Sequence, residues 1–300
     1  MASTDYRSSR GRTHERVFVG EDEQIGEGDT ELVLSILPPD LAETAFERLR
    51  KEVQWQVMKH RGGEVPRLVA QEGEVMHDGS FPIYRHPSDK SPPLLPFSPT
   101  VSLIREHVQK VLQHPVNHVL IQHYRSGADF ISEHSDKTVD VVRSSRIVNV
   151  SLGARRHMTL RTKEVKPDGK REVQRVKLPH NSMFVLGLDT NAKWQHSIKH
   201  DNRLNYVKDE DELYNNGERI SLTFRHIGTF ISQDEKLIWG QGAKGKTKDD
   251  ARPVVNGGPE AERLLAAFGT ENHSSVFDWE ASYGEGFDVF HLTTNESVTE

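Results

Sequence analysis

The sequence predicts an α+β fold, mainly β, in which two N-terminal helices pack on a core of short antiparallel strands. Two observations carry this. The stretches "LAETAFERLRKEV" and "VSLIREHVQKVL" place apolar residues at helical spacing. Beyond them the pattern switches to short β segments: "HVLIQHY", "RIVNVSLG", "HMTLRT", "EVQRVKL", "SMFVLGL", "WQHSIK" and "RISLTFRHI". Gly, Asn, Asp and Pro separate these segments, which is the punctuation of a sandwich or barrel.

Taken in order, residues 1–29 are polar, Gly-rich and without period, and read as a disordered arm. "ELVLSILPPD" is a strand leading into the first helix, with Asp40 as its N-cap. "VPRLVAQEG" is a second strand. The proline-rich run from His77 to Ser98 is a long ordered loop, of a length typical of lids and binding elements. Thr100 caps the second helix. "KPDGK" at 166–170 supplies a hairpin turn between two of the later strands. In the C-terminal part, "GPEAERLLAAFG" carries Leu264, Leu265 and Phe268 at helical spacing, and "SSVFDWEASYGEGFDVFHL" is aromatic. Both are expected to pack back on the core. The chain thus divides into an arm (1–29), a main domain with its N-terminal loops (30–231) and a C-terminal extension (232–300).

Composition excludes several classes of chemistry. With no cysteine in 300 residues there is no disulfide, no thiolate zinc site and no cysteine nucleophile. Net charge is −6, so a nucleic-acid partner would have to be held by a local basic patch. No apolar run approaches the roughly 20 residues of a membrane helix. The N-terminus, "MASTDYRSSRGRTHER", has no apolar segment of the signal-peptide kind. The expectation is an intracellular protein, nuclear or cytoplasmic, and monomeric.

"GQGAKGKT", Gly240 to Thr247, fits the phosphate-cradling pattern G-x-x-x-x-G-K-[ST]. A working phosphate loop joins a buried strand to a long helix whose N-terminus faces the phosphates. "KLIW" before it is a weak strand, and Pro253 stops any long helix after it. The match is read as a Gly/Lys-rich surface turn.

A second constellation has the context the first lacks. "FISEHSDK" contains His134-x-Asp136, the only H-x-D in the chain, and follows the strand "HVLIQHYRSG". "WQHSI" offers His196 from another strand. Two imidazoles and one carboxylate on one face of Fe(II) leave open positions, as in non-haem iron oxygenases. Zinc would accept the same ligands but would not explain the strand that follows. In "GERISLTFRHIG", Arg219, Ser221, Thr223 and Arg225 share one face, and Ile220, Leu222 and Phe224 take the other. Two inward arginines are costly unless an anion pairs with them. A dicarboxylate co-substrate would do so through bidentate contacts. His123, His157 and His226 fall on outward positions and are read as structural.

Together, "HVLIQHYRSGADFISEHSDK", "RIVNVSLGARRHMTLRTK", "WQHSI" and "RISLTFR" resemble the AlkB family of Fe(II)/2-oxoglutarate dioxygenases. The resemblance runs from about Pro66 to Ile227. It implies a double-stranded β-helix, or jelly roll, with the metal at its open end. It implies that His134, Asp136 and His196 bind Fe(II), and that O2 and 2-oxoglutarate are co-substrates. Arg219 would pair the distal carboxylate of 2-oxoglutarate and Tyr124 would hydrogen-bond to it. Arg225 would face the co-substrate's other end and the floor of the site. Gln122 and Ser221 stand where the family commonly has asparagines near the co-substrate. Thr138 stands where a substrate-facing residue, often acidic, is found.

On the substrate side, the resemblance makes "PRLVAQEG" and "FPIYRHP" lid segments around a flipped base, with Tyr84 a stacking residue and His86 its neighbour. The hairpin from Arg155 to Lys177, with Arg155, Arg156 and Arg161 at its base, is basic enough to track a phosphate backbone. The expected activity is oxidative demethylation of N-alkylated bases in DNA or RNA, a DNA-repair chemistry. Two alternatives stand beside it: the same chemistry on a protein or small molecule, and a non-catalytic nucleic-acid binder.

Overall fold

Residues 219–225, with one apolar and one polar face, form a central strand of the largest sheet. The computed structural model describes residues 23–60, 63–87 and 92–292. In chain order its elements are β1 (Glu31–Leu34), α1 (Pro39–Glu52), β2 (Gln56–His60), β3 (Gly63–Gly73), β4 (Phe81–Pro82), β5 (Leu94–Pro96) and α2 (Pro99–Leu112). Next come β6 (His118–Tyr124), β7 (Ile131–His134), β8 (Ile147–Gly153), β9 (Arg156–Thr162), β10 (Val173–Leu178) and β11 (Ser182–Leu186). These are followed by α3 (Leu188–Lys193), β12 (Trp194–Ile198), β13 (Arg219–Arg225), β14 (Thr229–Ile231) and β15 (Leu237–Gly240). The last are β16 (Arg252–Pro253), α4 (Gly258–His273) and α5 (Trp279–Tyr283).

The large sheet runs β1-β11-β8-β13-β6-β3-β2, with β5 beside β3 in parallel. A smaller sheet, β10-β9-β12-β7, faces it, and β16-β15-β14-β4 forms a third. This is the jelly roll expected, and period-two alternation explains its layers. Ile220, Leu222 and Phe224 of β13 pack with Val148, Val150 and Leu152 of β8 against Phe46 and Leu49 of α1 and Ile104 and Val108 of α2. Each such side chain, fully buried, stabilises the fold by about 1.5–3 kcal/mol. The opposite face meets the smaller sheet through a second cluster that includes Tyr124, Met158, Leu160, Phe184 and Ile198.

Several boundaries differ from those expected. Pro38 caps α1 and Asp40 lies in its first turn, because Pro39, with its preset φ, starts the helix two residues earlier. Ser98 likewise caps α2, and Thr100 donates its hydroxyl to Glu52 of α1 at 2.8 Å, tying the helices together. The expected arm is ordered from residue 23. Gly26 N–H donates to Gln174, Trp194 Nε1 donates to Glu27 and Thr190 donates to Asp29. Its first 22 residues lie outside the described ones. The boundary expected at 231 falls between two paired strands, β14 and β15. His123 is buried, bonded to Glu218 at 2.8 Å, rather than outward.

The "GQGAKGKT" stretch closes β15 and turns back. Lys246 Nζ donates to the carbonyls of Gln241, Ala243 and Gly284, and only a single helical turn, Lys248–Asp250, follows. Its Gly242 has a structural reason. A Cβ there would lie 2.5 Å from Asp140 Oδ1 and 2.6 Å from Arg85 Nη2. Those two side chains form a buried ion pair at 2.7 Å. Arg85 also donates to the carbonyls of Gly242, Phe287 and Val289, so it fastens the 81–87 segment to the C-terminal extension.

Candidate active site

Register brings the first two ligand candidates together. In the antiparallel pair of β12 with β7, His196 stands opposite His134, and their ring centroids are 4.3 Å apart. Asp136 lies just past β7. Asn191 of α3 holds its backbone from both sides, with Asp136 N–H donating to Asn191 Oδ1 and Asn191 Nδ2 to the Asp136 carbonyl, each at 2.9 Å. One donor atom from each of His134, Asp136 and His196 lies within 4.8 Å of the others.

The donor chemistry fits a divalent metal. Ring nitrogen Nδ1 of His134 is 2.8 Å from the Ser132 carbonyl, which makes it the protonated one and leaves Nε2 with a lone pair. Nδ1 of His196 is buried with no hydrogen-bond partner among the described residues. Burial, then the neighbouring His134, push His196 down to about 3, and burial likewise lowers His134. Both imidazoles are therefore neutral, as metal ligation requires. For Asp136, burial acts to raise its carboxyl, but Arg225 and the two imidazoles outweigh it and hold it well below the usual range.

The arginine face fits an anion. Arg219 is fully buried, donates through Nη2 to Asn149 (2.9 Å) and Ser151 (2.8 Å), and leaves Nε and Nη1 with no hydrogen-bond partner among the described residues. Burial lowers it to about 10, so it remains charged at neutral pH. Arg225 donates to Asp136, lies over the Tyr84 ring at 3.9 Å and also leaves Nε and Nη1 with no hydrogen-bond partner among the described residues. A buried guanidinium without its anion costs several kcal/mol. Both arginines line one cavity of about 570 Å³ with His134, Asp136, His196, Tyr124 and Gln122. A metal and a dicarboxylate would answer the open groups on either side of it.

Other expected residues fall differently. Tyr84 and His86 line the cavity, with rings 5.6 Å apart, and the Tyr84 hydroxyl accepts from Lys137 N–H at 3.0 Å. The Tyr124 hydroxyl is 3.3 Å from the Gln122 amide, and Gln122 with its amide turned accepts from Arg67 at 2.8 Å. Ser221 is buried behind Asn149, which donates to it at 3.3 Å and itself lines the cavity. Thr138 is turned away: its N–H and hydroxyl both donate to Glu271 of α4.

The arginines of the hairpin have inward partners. Arg155 pairs with Asp209 and Asp211, and Arg161 with Glu133. Arg156 donates to the carbonyls of Ser126, Asp129 and Lys199. None of the three lines the cavity. The picture of a basic ribbon free to track phosphates is corrected at these positions, because Asp209, Asp211 and Glu133 pair two of the arginines and backbone carbonyls take the third.

Sequence reasoning missed Arg67, Asn149, Asn191 and the α4 contribution. Leu265, Phe268, Gly269, Asn272 and His273 recur at helical spacing and line the cavity from the C-terminal side. That spacing was the available signal, read only as packing.

Comparison with known proteins agrees with this geometry. Residues 29–225 match the 2OG-Fe(II) oxygenase superfamily. The chain is similar to DNA oxidative demethylase ALKBH2 of Homo sapiens, at 32% identity over 168 residues, 52% of this chain and 62% of that protein. It is also similar to alpha-ketoglutarate-dependent dioxygenase alkB homolog 3 of Bos taurus, at 28% identity over 197 residues, 62% of each. The chain thus spans under two thirds of the length of these relatives. With the superfamily match covering well over half of its residues, this chain belongs to the 2OG-Fe(II) oxygenase superfamily.

Proposed function

We propose that the chain is an Fe(II)- and 2-oxoglutarate-dependent oxidative demethylase of N-alkylated bases in DNA or RNA. One observation carries the reading: a His134–Asp136–His196 triad, braced by Arg225, shares a single cavity with the buried Arg219 guanidinium, which has no acidic partner among the described residues. Bound there, Fe(II) with 2-oxoglutarate and O2 would supply hydroxylation of an N-alkyl carbon, the co-substrate leaving as succinate and CO2 and the alkyl group as an aldehyde.

The chain's residues would do the rest. Arg219 is oriented by Asn149 and Ser151 so that its free edge meets a carboxylate, with the Tyr124 ring 5.2 Å from the guanidinium carbon. Met158, Leu186 and Ile198 give the cavity apolar walls that exclude water. Tyr84 and His86 would face a base, which must leave its stack to enter. A nuclear or cytoplasmic place of action fits such a substrate, and among the described residues no helix is long and apolar enough to cross a membrane.

A second reading, the same chemistry on a protein or small molecule, is favoured by one observation: Arg155, Arg156 and Arg161 have partners within the chain. The test is formaldehyde and succinate release from N-methylated single- and double-stranded DNA and RNA oligonucleotides. Formaldehyde in step with succinate is expected, with His134→Ala silent. Succinate without formaldehyde across the whole panel would favour the second reading.

A further inference from the structure

The end of α4 touches the segment just past β7 that carries Asp136 and, in β12, the neighbour of His196. Ser135, between His134 and Asp136, donates its backbone N–H to Asn272 Oδ1 at 2.9 Å. Lys137, on the other side of Asp136, donates to the same oxygen at 3.2 Å. Across the site, Gln195, next to His196, donates to the Asn272 carbonyl at 3.0 Å. Glu271 beside it takes the backbone of Thr138 at 3.0 Å and is held by Tyr283 at 2.8 Å. The Lys163 ammonium closes the cluster on the Glu271 carbonyl at 2.6 Å.

Resting on the metal centre described above, we propose that Asn272 is a positioning residue for it. One side-chain oxygen takes the Ser135 backbone N–H and the Lys137 ammonium, and the backbone carbonyl of the same residue takes the Gln195 side-chain amide, so groups flanking Asp136 and His196 are tied to one residue. The physical reason is the short tether. Asp136 lies beyond the end of β7, where no ladder hydrogen bond sets its backbone. Asn191 sets that backbone from one side, and Asn272 sets the preceding Ser135 backbone and anchors the Lys137 ammonium from the other. Such outer partners typically change metal affinity by about 10–100-fold when lost. Asn272 lies outside the segment 29–225 that matches the superfamily, so this support is supplied by the chain's own C-terminal extension.

The test is titration of the metal-free protein with Co(II), followed by its visible absorption, for the parent, Asn272→Leu and Asn272→Asp. Leucine keeps the size and removes the acceptor; aspartate keeps the acceptor. The expected result is Co(II) binding weakened by about tenfold or more in Asn272→Leu, with a changed band shape, and restored most of the way in Asn272→Asp. Far-UV circular dichroism and the thermal midpoint of each metal-free variant separate this from loss of fold. Parent-like affinity and band shape in folded Asn272→Leu would overturn the proposal. So would equal weakening in both variants, which would make the role one of packing. Because no nucleic acid is present, the titration can fail while demethylation stands; a parent that takes up no Co(II) would instead remove the metal centre itself.

Discussion

Nη2 of Arg225 lies 3.0 Å from Oδ2 of Asp136, with both side chains buried and the guanidinium stacked on Tyr84. This contact keeps the carboxylate ionised and assigns one of its oxygens to the arginine. The other, Oδ1, lies 3.4 Å from the Tyr84 hydroxyl and remains available to a metal.

Arg225→Lys should therefore damage turnover more than co-substrate binding. A lysine brings a point charge without the planar fork that bonds Asp136 while stacking on Tyr84. The expected loss in kcat is on the order of 10–100-fold, with the 2-oxoglutarate KM little moved. Steady-state kinetics with varied 2-oxoglutarate reads both, and parent-like kcat would remove Arg225 from the metal centre's support.

Lys246→Ala should leave turnover and 2-oxoglutarate binding unchanged. The ammonium serves three carbonyls in the turn after β15, and losing it should cost about 1 kcal/mol of stability. Calorimetric titration with ATP should be flat for parent and variant alike. ATP binding in the parent that Lys246→Ala abolishes would restore the phosphate-loop reading.

His157 makes stability fall in mild acid. Burial, then the Arg155 guanidinium, push its imidazole down to about 4, whereas an unfolded chain titrates near 6.5. Between those values the unfolded chain binds a proton the folded one refuses, so stability is intact above about 6.5 and declines as pH falls towards 4. After discounting for partial exposure, the loss is on the order of 1–2 kcal/mol. Thermal midpoints at neutral and mildly acidic pH should drop less for His157→Gln than for the parent; equal drops would assign the acid sensitivity elsewhere.

What the sequence made legible followed local periods. Alternation along 219–225 separated the helix-facing Ile220, Leu222 and Phe224 from the cavity-facing arginines, because a strand's two faces follow from counting by twos. The gathering of His134, Asp136 and His196 was legible because two ligands share one short segment and the third sits on a strand. What escaped depends on pairings without a local pattern. Nothing near Arg155 announces Asp209 and Asp211, so counting basic residues along the hairpin overstated its free charge. Nothing near Thr138 announces Glu271. The choice between Ser221 and Asn149 at the cavity wall depends on which of two adjacent strands sends the longer side chain inward.

The most direct measurement of the account is an anaerobic titration of the Fe(II)-loaded protein with 2-oxoglutarate, followed by the metal-to-ligand charge-transfer absorption, in the parent and in Arg219→Ala. Arg219 is fully buried and its Nε and Nη1 have no partner among the described residues. Losing a buried charge-assisted pair costs about 2–5 kcal/mol, which is well over tenfold in affinity. The predicted result is a saturable band in the parent and a Kd raised by more than about tenfold in Arg219→Ala, with Fe(II) still bound. An unchanged Kd in Arg219→Ala would place the co-substrate elsewhere, and no band in the iron-loaded parent would contradict the co-substrate site altogether.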